Sequence, residues 1–481
     1  MQITIKEFYR EYVRALKENY ASVFAGAGLS RNSGFVNWKE LLRELAEDIN
    51  LNVDRETDLI ALAQYYYNER SGRANINQVI INKFNQETVH NENIACLTRL
   101  PISTYWTTNY DTLLEDSLRA YNKKVDVKIH SSNLSTTLTQ RDAVVYKMHG
   151  DISDPANAII TKDDYESYNL NRELFSTALK GDLVSKTFLF IGFSFQDPNL
   201  DYILSRIRVL LGKNQRSHYY ILRRATRNNF KNEEDYNYAL VKQNLKIKDL
   251  GRYSINVILV DSHEQTTEIL HTLERKYMLN NIFVSGSAEV YGENWKGKGE
   301  YLSAEIGRLL VRNNYKIISG IGHGVGSFII SGALSEIMEH KQAKIDNYLC
   351  MRPFPYQSTY DGISKLKSIY REEMIKESGI CIFLFGNKTI NDKNILADGV
   401  KEEFEIAERL NKYLIPIGTT GFVAEEIFNK IVNKEKYWYL QSEIETLLNS
   451  VNINDIINSI LKIIKEISSQ DKYHSNNILN A

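Results

Sequence analysis

The sequence predicts two consecutive doubly wound, Rossmann-like α/β domains, and three observations carry that reading. Short β-branched and aromatic runs alternate with longer amphipathic stretches, as in strands of a parallel sheet joined by helical crossovers. Polar segments bearing glycine, asparagine or histidine stand directly after those runs, where open α/β sheets bind their ligands. Near Asn280-Asn281 the pattern starts again, which divides the chain into 1–279 and 280–481.

In the first half the expected strands are Ser22–Ala25, Thr104–Thr108, Val144–Met148, Thr187–Phe193, Tyr219–Leu222 and Ile255–Val260. Amphipathic stretches such as Trp38–Ile49, Asp58–Asn68 and Tyr110–Tyr121 separate them, and His263–Leu279 closes the half as a helix. In the second half the strands are Ile282–Val284, Tyr315–Ile318, Asn347–Cys350, Ile380–Phe385 and Tyr413–Ile417. Ser327–Met338, Glu443–Leu448 and Ile453–Ile467 read as helices, and the polar tail Ser468–Ala481 is expected to fray.

Composition sets outer limits. The 43% hydrophobic and 25% charged content is that of a soluble globular chain. A net charge of −1 gives no general attraction to nucleic acid, so none is expected as a partner. No apolar run approaches the roughly 20 residues that span a bilayer, and no membrane partner is expected. Met1–Glu7 lacks the apolar core of a signal peptide. Cys96, Cys350 and Cys381 form neither a CxxC pair nor a disulfide framework, so the expected compartment is a reducing cytoplasm.

Four polar segments of the first half can bind or transform a nucleotide. Gly26-Ala27-Gly28-Leu29-Ser30 follows a strand and suits a pyrophosphate loop, although Gly-x-Gly fits a plain strand-to-helix turn equally well. Asn109 can orient a ribose or a water, while Asp111 can contact the same ligand or cap the next helix. His149, before Gly150-Asp151, suits a general base, because histidine titrates near neutral pH. Gly192 permits close backbone approach, and Ser194 can bond to ribose or phosphate. Asp197, with Pro198 behind it, reads as a helix cap.

In their order and strand-end placement, the GAG-x-S, T-x-N-x-D, K-x-HG and G-x-S segments resemble the SIR2 (sirtuin-like) NAD-binding domain over roughly the first 280 residues. The resemblance implies NAD as the bound nucleotide, Asn109 beside the nicotinamide ribose and His149 as the catalytic histidine. Sirtuin deacylases carry a four-cysteine zinc module between the HG and G-x-S segments. No cysteine stands between His149 and Gly192 here. No zinc is therefore expected, and NAD is expected as substrate, with water rather than an acyl-lysine as the acceptor.

The second half offers Ser285-Gly286-Ser287 and then Ser319-Gly320-Ile321-Gly322-His323-Gly324-Val325-Gly326, a phosphate cradle opening a helix. Arg371 and Lys388 can hold phosphates and Glu403 ribose hydroxyls, although each alone reads as a surface charge. This half resembles the SLOG superfamily. Gly386–Glu403 stands where related phosphoribohydrolases carry PGGxGTxxE, and its replacement of the glycine pair by Gly386-Asn387-Lys388 fits nucleotide sensing rather than hydrolysis.

SIR2 followed by SLOG resembles the NAD-consuming effectors of bacterial Thoeris antiphage defence. The resemblance implies an NAD glycohydrolase that forms a homotetramer. It also implies activation by a cyclic ADP-ribose isomer, made by a partner TIR-domain protein and bound by Gly286, Ser287, Gly320, Gly322, Gly324, Arg371, Lys388 and Glu403. The alternative function is a non-catalytic, NAD-bound sensor or scaffold, which the Asn109 and His149 pair disfavours.

Overall fold

The computed structural model describes residues 4–195, 197–340, 344–354 and 363–469. They fall into two compact units, Met1–Glu274 and Arg275–Ala481. The division lies within the helix His263–Met278.

In the first unit β1 (Ala21–Ala25), β2 (Thr104–Thr107), β3 (Val125–Lys128), β4 (Ala143–Lys147), β5 (Thr187–Ile191), β6 (His218–Arg223) and β7 (Ile255–Val260) form one sheet. The order is β3-β4-β2-β1-β5-β6-β7, and every pairing is parallel. The sheet grows to one side of β1 through β2 and to the other through β5, so the strand order reverses there. β1, β2 and β5 are buried along their whole length, which is why they read as continuous apolar or neutral runs rather than as alternation.

β3 is the one strand of this sheet that the apolar runs did not predict. Its buried residues are charged: Asp126 pairs with Lys128 at 2.8 Å and with Arg141 at 2.6 Å. The helix expected from Tyr110 begins only at Leu113, because Asn109–Thr112 turn away from β2 first. The expected strand Thr187–Phe193 ends at Ile191, where Gly192 takes φ +65°.

That glycine joins two loops. Gly26 N–H donates to Ile191 O at 3.0 Å, and Gly28 N–H donates to Gly192 O at 2.9 Å. A Cβ on Gly192 would stand 2.2 Å from Leu29 N, and one on Gly26 would stand 2.5 Å from Gly192 O. Gly192→Ala therefore adds both a left-handed backbone penalty and an overlap. It is expected to cost about 2–4 kcal/mol, read as a lower midpoint in urea unfolding with an unchanged slope.

In the second unit β8 (Asn281–Ser287), β9 (Lys316–Ser319), β10 (Leu349–Met351), β11 (Ile380–Phe385) and β14 (Tyr413–Pro416) form a parallel sheet. Its order is β10-β9-β8-β11-β14, so the reversal lies between β8 and β11. A separate antiparallel hairpin pairs β12 (Asn387–Ile390) with β13 (Lys393–Leu396). Asn391 and Asp392 form its turn with φ 49° and 59°, both in the left-handed region that two-residue hairpin turns require. The helix Ile453–Ser469 buries Ile456, Ile460, Ile463, Ile464 and Ile467 along one stripe. It takes in the first two residues of the tail expected to fray; the remainder of that tail lies outside the described residues. No described helix is long and apolar enough to cross a membrane.

Candidate functional site

At the carboxyl ends of β1, β2, β4 and β5 the first unit holds a cavity of about 1250 Å³. Ala27, Gly28, Ser30, Asn109, Asp111, His149, Gly192 and Ser194 all line it. Gly26 does not, because it packs under Gly192 and Phe193. The glycines of this loop are thus required first by backbone packing, and the Gly28 N–H is already engaged by Gly192 O.

The polar groups are held in place from beneath. Asn109 Nδ2 donates to Ser30 Oγ at 2.9 Å, and Asn109 N–H donates to Thr107 Oγ1 at 3.0 Å. Asn109 Oδ1 is buried and has no partner, as is Oδ1 of Asn93, a further lining residue. Asp111 Oδ1 accepts the Leu113 N–H at 3.1 Å, so it serves the following helix while lining the cavity. Burial pushes the Asp111 carboxyl up from the usual range, with the nearby Lys147 charge opposing.

Lys147, the lysine of the K-x-HG segment, is fully buried. Its ammonium donates to Tyr110 O at 3.2 Å, to Asp111 O, to Glu115 Oε1 at 3.0 Å and to Asp151 Oδ2. One cation therefore ties the loop carrying Asn109 to the loop carrying His149. Burial alone would push Lys147 down, but Glu115 and Asp151 outweigh it and hold the ammonium above the usual lysine range. The residue types did not announce this network, because Glu115 lies on the next helix and reads in sequence as a first-turn acid.

His149 is 2% exposed and lies edge-on to the Tyr165 ring at 5.5 Å between centroids. Its Nε2 stands 2.8 Å from Asp197 Oδ2 without hydrogen-bond alignment, and its Nδ1 has no partner. Asp197 does cap the helix Pro198–Leu211, accepting the Leu200 N–H at 2.8 Å, but its other oxygen faces the histidine. Burial raises the Asp197 carboxyl; the facing His149 and the backbone N–H of Leu200 outweigh it, and the group titrates below the usual range. After the HG segment, the helix Lys162–Glu166 adds Lys162, Tyr165 and Glu166 to the cavity wall. Lys39, Arg223 and Lys246 add positive charge elsewhere on the lining.

Away from this cavity, Glu92, Cys96 and His271 place one ligand-type atom each within 4.8 Å of one another. The Arg99 guanidinium stands among them, 2.9 Å from Glu92 Oε1 and 3.2 Å from Cys96 Sγ, and supplies the cation itself.

The second unit holds a smaller cavity of about 150 Å³ at the ends of β8 and β9. Gly286, Ser287, Gly320, Gly322, Arg371 and Glu403 line it, whereas Gly324 and Lys388 do not. Gly324, at φ +68°, is a packing position where a Cβ would stand 1.9 Å from Ala288 O. Lys388 lies on the hairpin, paired with Asp398. Arg371 is stacked over the Phe354 ring at 4.9 Å and donates to Glu402 Oε2 at 2.6 Å. Its Nε stands 3.5 Å from Glu403 Oε1 and makes no hydrogen bond. Ser285 Oγ donates to the other oxygen of Glu403. Phe354 and Glu402 were not singled out in the sequence, because each acts through neighbours distant along the chain, and Ser285 stood out only as part of Ser285-Gly286-Ser287.

Burial pushes Glu403 up to about 7, although Ser285 and Arg371 favour its ionised form. A carboxyl raised on folding binds more protons folded than unfolded between its two pKa values. Its contribution to stability is therefore lost as pH rises from about 4.5 to about 7, and is flat above that. Glu403→Gln should remove this component, so its melting temperature should change less than the wild type's across that window.

The comparisons with known proteins agree with this architecture. Residues 103–247 match the SIR2-like domain, and residues 265–467 match the Sir2- and TIR-associating SLOG family. A protein of Acinetobacter baumannii named NAD(+) hydrolase ThsA is 46% identical, covering 95% of this chain and 96% of its own length. Proteins of the same name from Cytobacillus dafuensis and Bacillus cereus are 44% and 40% identical, covering 95% and 98% of this chain and 95% and 100% of theirs. With a SIR2-like unit followed by a SLOG unit, and with this identity over almost the full length, the chain belongs to the ThsA family of NAD(+) hydrolases.

Proposed function

We propose that the first unit hydrolyses NAD to ADP-ribose and nicotinamide, and that a cyclic ADP-ribose isomer bound in the second unit switches this activity on. The observation that carries the first part is the cavity at the strand-order reversal, lined by Asn109 and His149 with buried, unpartnered polar atoms. Such atoms are costly unless a ligand or water completes them, and a polar ligand in this cavity can do so. NAD suits them: the nicotinamide leaves as a neutral base and the ribose passes through an oxocarbenium-like state, as in other glycosyl transfers. Asn109 orients the ribose or the attacking water, and His149 accepts a proton from that water or from a ribose hydroxyl. Lys39, Lys162, Arg223 and Lys246 are the candidates for the pyrophosphate.

For the second unit, support comes from the stacked Arg371 beside Ser285, Gly286 and Glu403, a set that offers charge, backbone and hydroxyl-binding groups. The family description "Sir2- and TIR-associating" supports a TIR-domain protein as the source of the signal. In this reading the protein works in the bacterial cytoplasm as a homotetramer and depletes NAD during antiphage defence. Purified protein is to be incubated with NAD and a panel of cyclic ADP-ribose isomers, and the products separated by chromatography. Equimolar nicotinamide and ADP-ribose with at least one isomer is the expected result; NAD bound but intact with every isomer would favour the sensor reading.

A further inference from the structure

We propose that Asp197 is a positioning residue for His149, fixing which imidazole nitrogen serves as the base; this rests on the NAD-hydrolysing reading of the first unit. Asp197 has two oxygens with separate tasks. Oδ1 accepts the Leu200 N–H at 2.8 Å and so is locked to the first turn of the helix Pro198–Leu211. Oδ2 stands 2.8 Å from His149 Nε2. Both residues are more than nine-tenths buried, at 9% and 2% exposure, and both line the cavity.

A carboxylate accepts hydrogen bonds and cannot donate them. Facing Nε2, it selects the tautomer with the proton on Nε2 and leaves the Nδ1 lone pair free. Neither ring nitrogen makes an aligned hydrogen bond, but only Nε2 has a carboxylate oxygen against it, and the side chain lines the cavity. The imperfect alignment at Nε2 is the form such contacts take before substrate tightens them. When Nδ1 takes a proton from water or a ribose hydroxyl, the imidazolium forms against a fixed negative charge. Tyr165 and Tyr168 also face the pair, with ring centroids 5.5 and 6.4 Å from that of His149, and both phenols are pushed up by burial and stay neutral. Asp197 thus places an anion against the ring.

Asparagine and serine are good helix caps, so both variants keep a cap for the Leu200 N–H; Asp197→Asn removes the charge facing His149, and Asp197→Ser removes the facing group altogether. In the activated full-length protein, kcat for NAD should fall by roughly 10²-fold or more in both variants, as when a histidine loses its orienting carboxylate. KM should move by less than about threefold, and the melting temperature should stay close to the wild type's, which a purely structural cap would also give but with kcat intact. Independently of turnover, nitrogen-15 histidine spectra, assigned with His149→Ala, should show His149 protonated on Nε2 at alkaline pH and a mixed tautomer in Asp197→Asn. Wild-type kcat in both variants, or a wild-type histidine protonated on Nδ1, overturns the proposal. If the wild type turns over no NAD with any isomer, the functional reading fails, and the tautomer still decides the role of Asp197.

Discussion

His149→Ala should lower activated NAD turnover by about 10²–10⁴-fold, the usual contribution of a positioned general base. Asn109→Ala should cost about 10²–10³-fold, as when one fixed dipole at a developing charge is removed. The two should not add, because they act on one transition state. NAD binding should survive both changes, since the lining contributed by Gly28, Arg223 and Lys246 is untouched. Calorimetric titration of NAD onto each variant, alongside nicotinamide release, checks the separation. His149→Ala leaves Asp197 buried opposite an empty space, so its melting temperature should fall. Asn109→Ala loses one bond to Ser30 and should unfold nearer the wild type.

The second large effect is expected at Arg371. Arg371→Ala removes a guanidinium stacked on Phe354 and bonded to Glu402, at the wall of the second cavity. A charge-assisted bond to a phosphate is worth about 1.5–3 kcal/mol, so the concentration of activator needed should rise roughly ten- to hundredfold. Arg371→Lys keeps the charge but loses the planar stack and the fork, and should recover only part of the affinity. Titrating activator against nicotinamide release gives the midpoint for each variant. Lys388→Ala should shift that midpoint far less, because Lys388 does not line the cavity and is paired with Asp398.

Much of this arrangement was legible in the residues. The buried parallel strands are apolar runs in the sequence, since a strand covered on both faces has no polar side. Their ends were marked by glycine, asparagine and histidine, and the cavity lies there. Most of what stayed hidden has one cause: charged groups that are buried because a partner elsewhere in the chain completes them. β3 was missed because Asp126 and Lys128 satisfy each other inside. The hairpin carried an Asn-Asp turn signal at Asn391-Asp392, but its strands are polar and largely exposed, so no apolar pattern drew attention to it. Lys147 was visible only as a letter of a motif; its four acceptors come from Tyr110, Asp111, Glu115 and Asp151. Asp197 was read correctly as a cap, but a second role on its other oxygen has no local sequence signature.

Packing also changes the meaning of the glycines. Gly26 packs backbone against backbone under Gly192, and Gly324 does the same against Ala288, so these two shape a site without lining it, whereas Gly192 both packs and lines the first cavity. Gly320 and Gly322 remain at the wall of the second cavity, where a Cβ would meet the Phe354 ring and Gly286 O respectively.

The most direct test of the central claim is a single time course of nicotinamide release from NAD by the purified full-length protein, with the cyclic ADP-ribose isomer added midway. A flat first phase and a steep, sustained rise after addition are expected. NAD left intact after saturating isomer, or a rate equally high before it, would contradict the account.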